Sequence, residues 1–192
     1  MNEKMKSALQ TTLRSDEKIL WESGTQPFRI LDGKEGRQTL IQWVLSVICV
    51  GAMLAVYITH GGERAGFVVI LIAILGVTVL LPVFQYRQTG GQWYFITNER
   101  ALMIQRGGGI YAMELAQMDE YRLYPLDFGG AAIALGSALL EENDKQLRWR
   151  ACHPKESAET QSAGSVRGLV FYNVERAEDA ARLLRDHAAK EV

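Results

Sequence analysis

The chain has 192 residues, a formal net charge of −1, and 48% hydrophobic against 22% charged residues. A near-neutral balance gives no global basic footprint, which excludes nucleic acid as the expected partner. Two cysteines are present: Cys49 falls within a long apolar run that reads below as a membrane span and Cys152 in the part expected to be cytoplasmic, so they are not expected to pair, and a reducing compartment would keep Cys152 a thiol.

Within Met1–Arg14, Met5, Ala8, Leu9 and Leu13 recur at helical spacing, with Lys4, Lys6, Gln10 and Arg14 on other faces. This pattern predicts a short amphipathic helix that lies on a membrane or packs on the following domain. In SDEKILWESGTQPF, Ile19 and Trp21 alternate with Lys18, Leu20 and Glu22 as in a short strand, which Gly24 and Pro27 end. Residues 1–37 form the first segment.

Residues 38–87 carry two uncharged runs, Gln38–Thr59 and Ala65–Tyr86, separated by HGGER. Each run of ~22 residues, at ~1.5 Å rise per residue, makes a helix of ~33 Å, enough to cross a hydrocarbon core of ~30 Å. Soluble core helices average ~11–12 residues, so the pair reads as a transmembrane hairpin. Trp43, Tyr57 and Tyr86 lie near the ends of the runs, where aromatic rings prefer the headgroup level. Arg29, Lys34 and Arg37 precede the first run, Arg87, Arg100 and Arg106 follow the second, and the loop offers only Arg64. That asymmetry places both termini in the cytoplasm. Gly51 and Ala55 on one face, with Gly76 on the second helix, predict close packing of the two helices, and Pro82 is tolerated near the end of its run.

Residues 88–192 read as a mainly β domain. Trp93–Thr97 and Ala101–Gln105 are apolar runs about an Asn98-Glu99 turn, and Gly107–Gly109 supplies the next turn. Tyr111, Met113 and Leu115 alternate with polar or small neighbours, as do Tyr121 and Leu123, and then Leu147, Trp149 and Ala151, predicting strands with one wet and one dry face. His153–Arg167 reads as a loop and Gly168–Tyr172 as a last strand. Asn173 is the predicted N-cap of a helix over about 174–189, with Ala177, Ala180, Ala181, Leu184 and Ala188 as its apolar stripe. Short antiparallel strands followed by one helix predict a small sandwich or partly open barrel capped by that helix.

Asp16-Glu17-Lys18-Ile19-Leu20-Trp21 ahead of the hairpin, and Tyr94-Phe95-Ile96-Thr97-Asn98-Glu99-Arg100 after it, resemble the bacterial pleckstrin-homology-like membrane proteins, the group labelled DUF304. The resemblance runs in order over nearly the whole chain. It implies a pleckstrin-homology fold of seven strands in two packed sheets with a C-terminal helix, placed at the bacterial inner membrane. It implies no assigned activity.

No residue pattern predicts catalysis. Gly107–Gly109 leads into a strand rather than a helix, so it is read as a hairpin turn and not a phosphate loop. Cys152-His153 has no second Cys or His at ligand spacing, and His60 and His187 are distant in sequence, so no metal is expected. Glu141-Glu142-Asn143-Asp144 reads as a solvated turn. No cofactor is implied. The expected function is that of a non-enzymatic, membrane-anchored interaction or scaffolding module, engaging a protein partner or its own copies through an exposed sheet edge. The alternative is recognition of anionic lipid headgroups, for which Arg87, Arg100, Arg106, Arg122, Arg148 and Arg150 are the candidate contacts. An oligomeric transport role is weaker, because neither run contains Asp, Glu, Lys, Arg or His.

Overall fold

The computed structural model describes residues 3–60, 65–118, 120–136, 147–156 and 165–188, without the side chains of Lys4, Lys155, Glu156 and Ala188. Arg64 and the Glu141–Asp144 turn therefore lie outside the described residues. The chain divides into two compact units, Arg29–Tyr86 on the one hand and Met1–Phe28 with Arg87–Val192 on the other.

The first unit is the helical hairpin. A tight turn opens it: the Arg29 amide donates to Asp32 Oδ2 at 2.7 Å, and Gly33 takes φ 69°. Helix α2 then runs Gly33–Thr59 and helix α3 Ala65–Thr89, with Pro82 inside it. Both are long and apolar enough to cross a membrane, and only 6% of the most apolar window of each is buried. A Cβ on Gly36 would come within 2.0 Å of the Leu31 carbonyl carbon, so glycine lets the turn fold back onto the helix start. Gly51 and Gly76 behave otherwise. A Cβ at either meets nothing within 4 Å, so these glycines do not mediate the close helix approach expected of them. The helices meet instead through larger side chains: Tyr57 and Phe67 have ring centroids 4.9 Å apart, and Val50 and Leu71 are buried.

The second unit is built on two antiparallel sheets. Strands β1 (Ile19–Gly24), β2 (Trp93–Thr97), β3 (Arg100–Ile104) and β4 (Ile110–Glu114) pair in chain order, so β1 and β2 are neighbours although the whole hairpin lies between them. Strands β5 (Tyr121–Pro125), β6 (Ala131–Leu135), β7 (Lys155–Glu156) and β8 (Val166–Val174) form the other sheet in the order β5-β6-β8-β7. Neither sheet closes into a barrel among the described residues. Bridges Thr25↔Val174 and Ala112↔Ser165 tie the two ends of the β8 region to the edges of the first sheet. Between β6 and β8 the register shifts by one residue, and Asn173 takes φ 50° there, a bulge that re-aims the strand end. Its Nδ2 donates to the Gln26 carbonyl at 2.9 Å, while its own carbonyl accepts from the Gln26 amide at 2.8 Å.

The core lies between the sheets. Trp21 stacks on Phe171 at 6.0 Å, Tyr94 stacks on Phe171 at 4.8 Å, and Ile96, Met103, Met113, Ile133, Leu135 and Leu169 complete it. Helix α5 (Ala177–Ala188) contributes Ala177, Ala180 and Leu184 to this cluster, and Ala181 is buried beside them, as its spacing predicts. A second cluster covers the other face of the first sheet. There helix α1 (Glu3–Thr12) presents Leu9, 5% exposed, to Phe95, Leu102 and Ile104. Every residue of β3 is consequently buried, in keeping with its reading as an apolar run. An amphipathic helix that packs on the domain has taken the place of water.

Four local expectations change. Leu147–Cys152 is not a strand but a short helix, α4; its alternation was too brief to separate the two periods. Within β5, Tyr121 packs against the core and Arg122 is exposed, as predicted, but Tyr124 is buried and Leu123 is 36% exposed, the reverse of what their alternation predicts. Asn173 is part of β8, and α5 starts at Ala177 rather than at the predicted position near 174. The predicted loop after His153 contains β7, which pairs with β8. The Gly107–Gly109 turn forms as predicted, with the Gln105 amide donating to the Gly109 carbonyl at 2.8 Å and Gly108 at φ 88°.

Truncating Leu9 to Ala removes the central contact of α1 and should cost about 2–3 kcal/mol, typical of a buried leucine. Thermal or denaturant unfolding of the full-length protein in micelles measures this, and a change below ~0.5 kcal/mol would mean that α1 does not hold the sheet.

Candidate functional site

The two sequence segments that carry the family resemblance meet in space. Glu17 precedes β1, and Thr97, Asn98, Glu99 and Arg100 make the β2–β3 turn. Glu17 Oε1 accepts from Arg100 Nε at 2.8 Å and from the Thr97 hydroxyl at 2.8 Å; Oε2 accepts from an Arg100 terminal nitrogen at 2.7 Å and from the Arg14 amide at 2.9 Å. Arg100 also donates to the Thr12 carbonyl at 2.6 Å, at the end of α1. The Glu17 side chain is 0% exposed. Burial alone would push its carboxyl up, but the Arg100 guanidinium, the Arg14 amide and the Thr97 hydroxyl outweigh that and hold it at about 2. Outside this pair, Arg14 bridges Glu99 and Glu114, each at 2.6 Å. Asn98 adds a further tie, accepting from the Lys18 amide at 2.7 Å.

Arg100 is therefore structural rather than a contact for lipid or partner. Arg148 is likewise buried, on the inner face of α4. Arg150 is half-buried, its guanidinium 4.9 Å above the Trp149 ring. Arg87, Arg106 and Arg122 are exposed. The six arginines do not form one patch. Arg100 and Arg106 lie at opposite ends of β3, and Arg122 belongs to the other sheet.

Arg106 borders a polar end of the β unit that sequence reasoning did not find. Gln92 and Gln105 flank the paired ends of β2 and β3, and both are buried. Gln92 Nε2 donates to the Ala151 carbonyl at 2.7 Å, and Gln105 Nε2 donates to the Cys152 carbonyl at 3.0 Å. These are the last carbonyls of α4, which lack helical partners. Gln92 also accepts from the Tyr94 hydroxyl at 2.7 Å, and burial pushes that phenol up. Cys152 Sγ lies 3.0 Å from Thr89 Oγ1, and His153 stacks on Trp149 at 4.7 Å, so both side chains of the Cys-His pair are engaged within the fold. The sequence signal for this cluster was the placement of two glutamines at the ends of two apolar runs, Gln92 just before Trp93 and Gln105 just after Ile104.

A separate feature of the β unit is the β5 edge. Among the described residues, strand β5 pairs with β6 alone. The Gly136 amide donates to the Glu120 carbonyl at 2.8 Å and the Leu126 amide to the Gly130 carbonyl at 3.2 Å, bracketing the ladder in the same register as Arg122↔Ala134 and Tyr124↔Ala132. In that alternation the even-numbered residues bond to β6, while Tyr121 and Leu123 turn their N–H and C=O groups away from the sheet. Beside this edge lies a groove of about 620 Å³. Leu123, Pro125 and Val174 line it with apolar surface, and Arg176, Glu178 and Asp179 line it from the start of α5. Glu175 adds a third carboxylate, so acids outnumber the one guanidinium. Arg176 holds φ 52°, a left-handed conformation uncommon for its residue type.

Compared with protein-family models, curated proteins and solved structures, the chain matches none of the three.

The clasp has a definite pH signature. The Glu17 carboxyl is lowered from an ordinary 4.5 to about 2, so the stability it contributes is present above pH 4.5 and is lost as pH falls towards 2. The loss should amount to about 3 kcal/mol. Glu17→Gln should cost about 3–5 kcal/mol at neutral pH, because Arg100 stays buried without its counter-charge. It should also flatten the acid limb of a pH–stability curve; an unaltered acid limb would show that other carboxylates set it.

Proposed function

We propose that this protein is a non-enzymatic, membrane-anchored interaction module whose cytoplasmic β unit accepts an extended, basic segment of a partner protein along β5. The observation that carries the reading is the β5 edge, with its outward-facing backbone groups and an adjoining groove of acidic balance. An added strand would satisfy the N–H and C=O groups of Tyr121 and Leu123. Side-chain recognition would come from Leu123 and Pro125 on the apolar side and from Glu175, Glu178 and Asp179 for a Lys or Arg.

Anchoring is supported by α2 and α3. An apolar surface so little covered within its own unit is unfavourable in water and favourable in lipid. Lys34, Arg37 and Arg87 flank the apolar runs, which favours cytoplasmic termini, and a bacterial inner membrane is the setting that the family resemblance implies. A pleckstrin-homology-like architecture is supported by the sequence of β1–β4 in one sheet, β5, β6 and β8 in the other, and a following helix. On that reading the hairpin is an insertion between the first and second strands.

Leu123→Pro is a selective test. It deletes an outward N–H without touching a bond to β6, and proline is tolerated on such an edge. A photo-crosslinking residue at Arg122, in the full-length protein in native membranes, should capture a partner protein through β5. Adding Leu123→Pro should abolish capture while shifting the melting temperature by no more than a few degrees. Capture of the same chain would identify the partner segment as another copy. Capture that survives Leu123→Pro, or no capture at all, would refute strand addition.

A further inference from the structure

Resting on the strand-addition reading, we propose that the segment received along β5 is the β5 of a second copy of this chain, the two strands running antiparallel about a two-fold axis at Leu123.

The sheet edges are not alike. Among the described residues, Thr25 at the end of β1 bridges to Val174, Ala112 in β4 bridges to Ser165, and β7 is only 2 residues long. Strand β5 has 5 residues and carries no such bridge. Its sequence, Tyr121-Arg122-Leu123-Tyr124-Pro125, is extended and bears a single charge, the Arg122 guanidinium. It therefore has the character of the segment that its own edge would take.

Register follows from the backbone and from charge. Tyr121, Leu123 and Pro125 turn their backbone groups outward, so an antiparallel copy must set odd-numbered residues opposite one another. With Leu123 opposite Leu123, the central residues exchange a pair of hydrogen bonds, and each Tyr121 amide donates to the Pro125 carbonyl of the other copy. Pro125 has no N–H to leave stranded, and Arg122 stands opposite Tyr124, a ring that can receive a guanidinium. Sliding the strands until Tyr121 faces Leu123 makes as many bonds, but it sets Arg122 against Arg122 with Cα atoms ~4.5 Å apart. Sliding the other way, until Leu123 faces Pro125, keeps only the bonds to the Pro125 carbonyls. Arg122 and Pro125, residue types that blunt an edge against arbitrary strands, here select one register.

Helix α5 repeats the same symmetry in its charges. Its start, with Glu178 and Asp179, lines the groove beside Leu123 and Pro125, and Glu175 lies just before it. Its second half carries Arg182 and Arg185, both exposed. Arg185 bonds the Tyr121 hydroxyl, so the helix lies along β5 with its acidic end at Pro125 and its basic end at Tyr121. A two-fold axis perpendicular to the sheet keeps both α5 helices on one side and reverses one against the other. The acidic start of each then faces the basic end of the other, with the Leu123 side chains between them. Arg176 and Asp186 carry the opposite sign at the two ends, so the complementarity is that of the majority at each.

Single cysteines introduced into the full-length protein in native membranes test this register by oxidation with copper phenanthroline. The unsubstituted chain gives the background from Cys49 and Cys152. In the proposed dimer the Leu123 Cα atoms lie ~5.5 Å apart, within disulfide reach, while the Arg122 Cα atoms lie ~8 Å apart, beyond it. Leu123→Cys should thus give a disulfide-linked dimer. Arg122→Cys should stay at background, as should Lys18→Cys at the far end of the first sheet, beside the β2–β3 turn. Adding Glu178→Arg to Leu123→Cys should lower the dimer yield about fivefold, as two exposed ion pairs turn repulsive, and adding Arg185→Glu to both should restore it. Dimer at Arg122→Cys in place of Leu123→Cys, equal dimer at Lys18→Cys, or a yield indifferent to Glu178→Arg would overturn the proposal. No dimer at Leu123→Cys, while the photo-crosslinking residue at Arg122 captures a different protein, would overturn it and leave strand addition standing. Neither dimer nor capture would remove the proposal and the strand-addition reading together.

Discussion

The buried pair of Glu17 and Arg100 is the interaction on which the β unit depends. A carboxylate with no exposed surface is tolerated only if every oxygen is answered, and here the Arg100 fork, the Thr97 hydroxyl and the Arg14 amide answer both. A buried ion pair contributes little net stability compared with well-packed apolar residues, so its value lies in specification. It fixes the start of β1 against the β2–β3 turn. A slip of one residue would turn Trp21 out of the core and carry Leu20, now 52% exposed, into it.

Such a fixed point matters because the chain leaves the β unit after Phe28 and returns at Arg87. The long connection makes β1–β2 pairing non-local and entropically costly to close. Three sets of contacts secure it at different heights of the strand pair. Glu17 and Lys18 hold one end through Arg100 and Asn98, Trp21 holds the middle through Phe171, and Thr25 and Gln26 hold the other end through Gln92 and Asn173. Helix α1 belongs to the same arrangement. It covers the outer face of the sheet with Leu9 and lends its last carbonyl, that of Thr12, to Arg100, so the residues before the hairpin and those after it make one hydrophobic body.

The two ends of that body differ in chemistry. The end remote from the chain crossings is an ionic clasp. The end beside them carries buried glutamines, the clamped helix α4 and an exposed indole with arginines nearby. The β5 edge lies on the second sheet, away from the clasp, with no second strand beside it among the described residues. The arginines that looked alike in sequence divide by depth: Arg100 and Arg148 are buried, while Arg87, Arg106 and Arg122 are exposed.

The sequence by itself determined the helices α2 and α3, because length without charge is a property of the chain alone. It also determined β1 to β4, whose alternation and turn residues are local, and the alanine stripe of α5. Tertiary structure decided the rest. Leu147–Cys152 is a helix whose terminal carbonyls accept from the Gln92 and Gln105 amides, a partnership across more than forty residues that no local pattern encodes. Both faces of β3 became dry because α1 folded over one of them. Arg100 and Arg148 left the surface, and Gly51 and Gly76 stayed out of the helix contact, because burial depends on which elements arrive from elsewhere in the chain. The β5 edge was legible as a strand but not as an edge, since sheet order is set by which strand finds no second neighbour.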